Sequence, residues 1–130
     1  MGMDARADII AGVELDYDDL CNIAGSDDAY DTLKDLLTKH DLSHEQGEDA
    51  NVIIGVRLFY TDWDTNFQVI DAELLDLLKQ PEAVYRDSYV EKLNKLIRAS
   101  DDAIKQDILM RLKSYVHNSE FKVGIHCSYS

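Results

Sequence analysis

The chemistry-bearing residues of this chain fall into four groups. The first is the run from Asp62 to Glu73, DWDTNFQVIDAE. It has Asp62, Asp64 and Asn66 at positions 1, 3 and 5, Val69 at position 8 and Glu73 at position 12. That spacing can converge hard oxygens on calcium, as an EF-hand loop does. Position 6 of such a loop is the sharp turn that requires Gly, and here it is Phe67, which resists a positive φ. A strand-like stretch, not a helix, also precedes it. The expectation is therefore a strand-to-helix connection built from Asx turns, with no metal site and no cofactor.

The second group is His40 and His44, four residues apart. On one helix this would place two imidazoles on one face, as a metal site requires. Ser43 reads as lying beyond the helix end, so His40 is expected near a helix C-terminus, where the dipole favours it. The third group is Glu14, Arg57 and His126, an acid, an anion holder and a base at equivalent positions of three similar hexapeptides. Such a row on a wet sheet surface reads first as a cross-strand charge ladder. No catalytic residue is assigned. The chain has no Walker A loop, dinucleotide fingerprint, nucleophile elbow, HExxH or CxxC, so the expectation is a non-enzymatic protein.

The fourth group is the acids. Asp28, Asp31 and Asp35 recur every three or four residues and share one helix side, with Asp27 adjacent. Their spacing along the axis is about 5 Å at a rise of about 1.5 Å per residue. A DNA strand carries a charge about every 3.4 Å, a linear density of the same order. Asp16, Asp18 and Asp19 precede this stripe; Asp41, Glu45, Glu48 and Asp49 follow it.

The acids are concentrated, not dispersed. The 130 residues carry a net charge of −13. Residues 1–50 hold 14 acids and 3 bases, a net of −11, whereas residues 81–130 hold 7 acids and 8 bases, a net of +1. Such a field repels nucleic acid and attracts basic partners. Length bounds the chain to one domain, residues 1–130. No apolar run approaches the roughly 18 residues of a membrane span. The start, MGMDARADII, lacks the long apolar stretch and small-residue cleavage site of a secretory leader. Two cysteines, Cys21 and Cys127, stand far apart in apolar patterns and read as buried free thiols in a reducing compartment. A cytoplasmic protein is expected.

The elements that must position these groups are announced by a repeated pattern. GVELDY begins at Gly12, GVRLFY at Gly55 and GIHCSY at Gly124. Period-two alternation sorts each strand into two faces. One face receives Ala11, Val13, Leu15 and Tyr17; Val52, Ile54, Val56, Leu58 and Tyr60; and Phe121, Val123, Ile125, Cys127 and Tyr129. The other receives Gly12, Glu14 and Asp16; Gly55, Arg57 and Phe59; and Lys122, Gly124, His126 and Ser128. The first set is apolar and should lie beneath helices, with Val13, Val56 and Ile125 buried. The second should be open, with the glycines forming a shallow trough if the strands pair in matching register.

Between the strands lie helical patterns. One closes at Gly25, and Ser26 caps a second that carries Tyr30, Leu33, Leu37 and His40 on its buried side. Residues 43–50 read as a loop. A third helix, IDAELLDLLKQ, ends by Pro81. A fourth spans Glu82 to Ala99, and a fifth, capped by Ser100, has Ile104, Ile108, Leu112 and Tyr115 as its buried stripe and stops at Asn118. The expected fold is an α/β (α+β) two-layer sandwich: a three-stranded sheet with about five helices on one face and the other face open. The expected function is that of a small acidic binding or inhibitor protein. Its N-terminal half would dock on a basic, nucleic-acid-handling protein, as anti-restriction, anti-CRISPR and nuclease-immunity proteins of similar charge and size do. The alternative is an interaction module that uses the open sheet face, including to form a homodimer. A small enzyme or calcium-binding protein ranks below both. No direct contact with nucleic acid or membrane is expected.

Overall fold

The computed structural model describes the backbone of residues 5–45, 51–62 and 71–129, and the side chains of residues 8–44, 51–59 and 71–125. In chain order its elements are β1 (Ala5–Leu15), α1 (Tyr17–Ala24), α2 (Asp27–Lys39), β2 (Ser43–Glu45), β3 (Val52–Asp62), α3 (Ala72–Leu78), α4 (Glu82–Ala99), α5 (Ala103–His117) and β4 (Lys122–Tyr129). This is a mixed α+β protein whose four-stranded sheet has the order β2-β3-β1-β4. Every neighbouring pair is antiparallel. The sheet is not a closed barrel.

Most helix ends follow the local signals. Ser26 Oγ accepts from Ala29 N at 3.2 Å, and Gly25 ends α1 with φ +90°, a conformation that costs glycine little. Pro81 precedes α4 with no side-chain cap, its carbonyl accepting from Val84 N at 3.0 Å. The start of α5 differs from expectation. Asp102 is its cap, accepting from Ile104 N at 2.9 Å and Lys105 N at 3.3 Å, while Ser100 ends α4. Asp102 wins because its charged oxygen accepts two donors that carry the positive end of the helix dipole. Ile104 then falls in the first turn and is 68% exposed, not part of the buried stripe, which runs through Ile108, Leu109, Leu112 and Val116.

The hydrophobic core joins Ala11, Leu15, Val52 and Ile54 of the sheet to Leu20 and Ile23 of α1, Leu33 and Leu37 of α2, Tyr85, Tyr89 and Leu93 of α4, and Ile108 and Leu112 of α5. Val13 and Val56 are half-buried and pack against it. Ile125 corrects the expectation: it is 74% exposed, and Val123 is 43% exposed. Both lie on β4, an edge strand, and alternation assigns a residue to a face without saying whether a helix reaches that far.

Three further differences have local causes. Ser43–Glu45, read as loop, forms β2 against Val52–Ile54; three residues are too few for a periodic signal. The pairing of β1 with β3 slips between Ile9 and Ile10, so Ile9 lies opposite Phe59 and Ile10 opposite Arg57. Leu58 is the extra residue of a bulge, and a bulge exchanges the faces beyond it. Phe59 is thereby paired with Ile9, the reverse of its expected face. Finally, the second face of the sheet is open only at its margins. Glu14, Arg57, Lys122 and Gly124 are exposed, whereas Asp8, Ile10 and Gly12 of central β1 are buried.

Candidate functional site

The acidic residues are positioned by α1 and α2. Asp16 and Asp19 form a reciprocal capping box: Asp16 Oδ1 accepts from Asp19 N at 2.9 Å, and Asp19 Oδ2 accepts from Asp16 N at 3.1 Å. Two of the seven candidate carboxylates therefore also start a helix, satisfying donors that would otherwise be orphaned. Asp27 and Asp28 occupy the first turn of α2, where their charge suits the dipole. Asp16, Asp18, Asp27, Asp28, Asp31 and Asp35 are exposed and Asp19 is half-buried. The two helices pack together with Tyr17 and Tyr30 between them, ring centroids 5.0 Å apart and planes tilted by 50°.

Tyr17 lies elsewhere than its place in the alternating pattern implies. Strand alternation assigned it to the buried sheet face; it is instead the first residue of α1 and is 58% exposed. The signal was present in the flanking Asp16-x-x-Asp19 box, which ends the strand at Leu15. Tyr17 thus offers an aromatic ring amid carboxylates. Its phenol pKa is pushed up to about 12, first by its hydrogen bond to Cys21, then by the charges of Cys21 and Asp27. Tyr115 on α5 is also raised, mainly by burial and then by Asp19 and Asp16. The aspartates thus add to both shifts, behind Cys21 at Tyr17 and behind burial at Tyr115. Cys21 is a free, half-buried thiol; the Cys127 side chain lies outside the described residues.

The sheet brings together only part of the expected row. Gly12 and Gly55 are direct partners, but Gly124 lies opposite Ile10. A Cβ on Gly12 would collide with the Ile54 carbonyl oxygen and come 3.0 Å from Gly55 Cα; one on Gly55 would collide with the Ala11 carbonyl oxygen. The pair is thus a close crossing of β1 and β3, while Gly12 and Gly124, without Gly55, line a cavity of about 540 Å³. Glu14 pairs across to Ile53, Arg57 to Ile10, and His126 to Asp8, so Glu14, Arg57 and His126 do not form one row. Glu14 Oε1 accepts from Asn51 Nδ2 at 2.8 Å. Arg57 Nε instead stands 3.8 Å from Asp8 Oδ2. Asp8 is 5% exposed, and its other oxygen, Oδ1, has no hydrogen-bond partner among the described residues. Asp8 was not singled out because an acid inside an apolar run looks like an ordinary outward-facing strand residue.

His40 caps the end of α2, and His44 is buried on β2; they occupy different elements, not one helix face. Among the described residues, no group of three His, Cys, Asp or Glu gathers as a metal site would require. The centre of the Asp62–Glu73 run, residues 63–70, lies outside the described residues. Of its ends, Asp71 caps α3, its Oδ1 accepting from Leu74 N at 2.8 Å. Among the described residues no helix is long and apolar enough to cross a membrane. No protein-family profile, no curated protein and no solved structure matches this chain.

Proposed function

We propose that this protein is a non-enzymatic binding protein that docks the α1–α2 surface on a basic, nucleic-acid-handling protein and occludes its binding groove. The observation that carries this reading is Tyr17, 58% exposed and packed on Tyr30, set among the exposed carboxylates of Asp16, Asp18, Asp27 and Asp28. Tyrosines are enriched among the few residues that dominate interface energetics, and a charged rim steers the encounter. Solubility alone requires no such placement of the only described exposed tyrosine in the most acidic segment. Asp28, Asp31 and Asp35 extend the surface along α2, and their charges replace the phosphates a basic groove would otherwise hold. The compartment that suits such a partner and the free Cys21 thiol is the cytoplasm.

The test is capture of partners from host lysate, followed by association kinetics at two salt concentrations. Asp28→Lys with Asp31→Lys should slow association sharply and weaken its salt dependence, because rim charges act mainly on the encounter rate. Tyr17→Ala should accelerate dissociation instead, as loss of an anchor does. Charge reversal at Arg98 and Lys105, exposed on α4 and α5, should do much less. If the Asp28 and Asp31 pair and the Tyr17 variant both bind as the parent does, the docking surface lies elsewhere and the proposal is wrong.

A further inference from the structure

The two edges of the sheet are built differently. At one edge stands β2, three residues long. A strand that short offers little for another chain to pair with. At the other edge stands β4, Lys122–Tyr129, eight residues that pair with β1 alone among the described strands. Alternate residues of an edge strand turn their backbone N–H and C=O outward, unpaired. The register of β4 on β1 runs without a shift from Lys122 opposite Gly12 to Tyr129 opposite Ala5, so no bulge interrupts this edge. The strand reads KVGIHCSY. It has no proline and no acid, and its single lysine is its first residue. Of the devices that natural proteins use to blunt an edge, β4 has only that lysine.

Its side chains are open as well. Lys122, Val123, Gly124 and Ile125 are exposed one after another, so both faces of the strand meet solvent. Val123 lies opposite Ala11 and Ile125 opposite Ile9. Both are therefore on the helix-bearing side, yet they are 43% and 74% exposed. Single exposed apolar residues are ordinary; here two neighbours on one face of an unpaired strand stand in water. A Cβ on Gly124 would meet nothing within 4 Å, so an approaching chain finds the other face clear. The start of the strand is nevertheless fixed. Phe121 is 3% exposed, and its N–H donates to Glu82 Oε1 at 2.8 Å. The edge is open and preorganised, which lowers the cost of association.

Charge and symmetry select the occupant. Each copy of the chain carries a net −13, so two copies meet most readily where acids are absent, as they are along β4. Helix α2, with Asp28, Asp31 and Asp35, packs instead against β2, at the opposite edge of the sheet. Three strand spacings of about 4.8 Å, about 14 Å in all, separate β2 from β4. In a β4-to-β4 pair the acidic helices of the two copies stand at the far ends of a joint sheet, well beyond a Debye length of about 8 Å at physiological salt. Antiparallel pairing of a strand with its own copy is also two-fold symmetric, so each presents the same backbone groups and the same apolar side chains to the other.

We infer that β4 is a self-association edge: two copies pair their β4 strands antiparallel and join their sheets into one. With the two-fold axis close to Gly124, Val123 of each copy packs on Ile125 of the other. This surface leaves both α1–α2 faces free, and it stands or falls separately from the docking proposal.

The experiment is analytical ultracentrifugation of the full chain from low micromolar to near millimolar concentration, at low and at high salt. Hydrogen exchange of the β4 amides is measured at both ends of that range. A species of twice the monomer mass should appear as concentration rises. It should strengthen with salt, because screening relieves the repulsion between two acidic copies, whereas docking on a basic protein weakens with salt. Amides of alternate β4 residues should gain protection as the dimer forms. Ile125→Lys should weaken the dimer at least about tenfold, equivalent to about 1.4 kcal/mol, and the exposure of Ile125 lets the monomer fold as the parent does. Asp28→Lys with Asp31→Lys should not weaken it. A chain that stays monomeric throughout, a dimer that forms without protecting β4, or a dimer undiminished by Ile125→Lys in folded protein would each overturn the assignment. Protection of β4 by another protein alone would do so too, since the edge would then serve a foreign strand.

Discussion

Gly12 and Gly55 face one another across β1 and β3, each closing off the space a side chain on the other strand would need. The collision partners are carbonyl oxygens of paired strands, which cannot yield without breaking the ladder. Gly124 differs: a Cβ there would meet nothing within 4 Å. Gly55→Ala should destabilise by about 3 kcal/mol, the upper part of the usual range for overpacking, and Gly124→Ala by far less. Chemical denaturation of the two variants checks this, and similar losses in both would refute the close-crossing account.

Asp41 follows the end of α2 with φ +54° and should be replaceable with a gain in stability. Glycine relieves the left-handed backbone strain and removes a carboxylate from the C-terminal end of α2, against some added flexibility of the unfolded chain. Asp41→Gly is expected to stabilise by about 0.5–1 kcal/mol. The backbone oxygen that receives Lys92 is kept. A thermal or denaturant midpoint that falls in this variant would show that the aspartate side chain serves the fold.

Tyr89 sets an alkaline limit. Its hydroxyl donates to Leu42 O at 2.9 Å, its ring packs edge-on to Phe121 with centroids 5.8 Å apart, and it is 1% exposed. Burial pushes its pKa well above the ordinary 10.0. The folded state thus holds a proton that the unfolded chain releases. The associated stability is complete below pH 10 and declines as pH rises from there toward the folded pKa, by about 1.4 kcal/mol per pH unit at most for one group. Tyr89→Phe should lose about 1 kcal/mol near neutrality, because the Leu42 carbonyl is left without its partner. It should also show a shallower decline above pH 10. Denaturation at several pH values between 8 and 11 measures both effects, and an unchanged alkaline slope would remove Tyr89 from the explanation.

Glu82 ties the first turn of α4 to the entry of β4. Its Oε1 accepts from Phe121 N at 2.8 Å and from Arg86 Nη1 at 2.9 Å. Glu82→Ala should cost about 1.5–3 kcal/mol, the usual contribution of a hydrogen bond to a charged group. Amide exchange should accelerate first at Phe121 and along β4. Uniform acceleration across the sheet would mean that this anchor is not local.

The local features of the chain were legible because they depend on neighbours a few residues away. Period-two alternation marked β1, β3 and β4, and Ser26, Gly25, Pro81 and Asn118 marked helix ends. The exposure of Asp28, Asp31 and Asp35 followed from helical spacing alone. Where a local signal competed with another, the stronger one was misjudged: the Asp16–Asp19 box overrode strand alternation at Tyr17, and Asp102 displaced Ser100 as a cap.

What only the tertiary structure decided is which parts meet. Strand order put β4 at an edge and left Ile125 exposed despite its core-like position. Antiparallel pairing about Gly12 and Gly55 sent Glu14 and Arg57 in opposite directions, Glu14 to Ile53 and Arg57 to Ile10 beside Asp8, so they form no row with His126. The cleft beside β3 and α4 draws on residues from Asp41 to Lys95, and no spacing rule links positions so far apart. Caps and periodicity arise from bonds within a turn or a strand, whereas register, edges and clefts arise from packing the whole chain at once; the composition of a site built across elements is therefore invisible until those elements are docked.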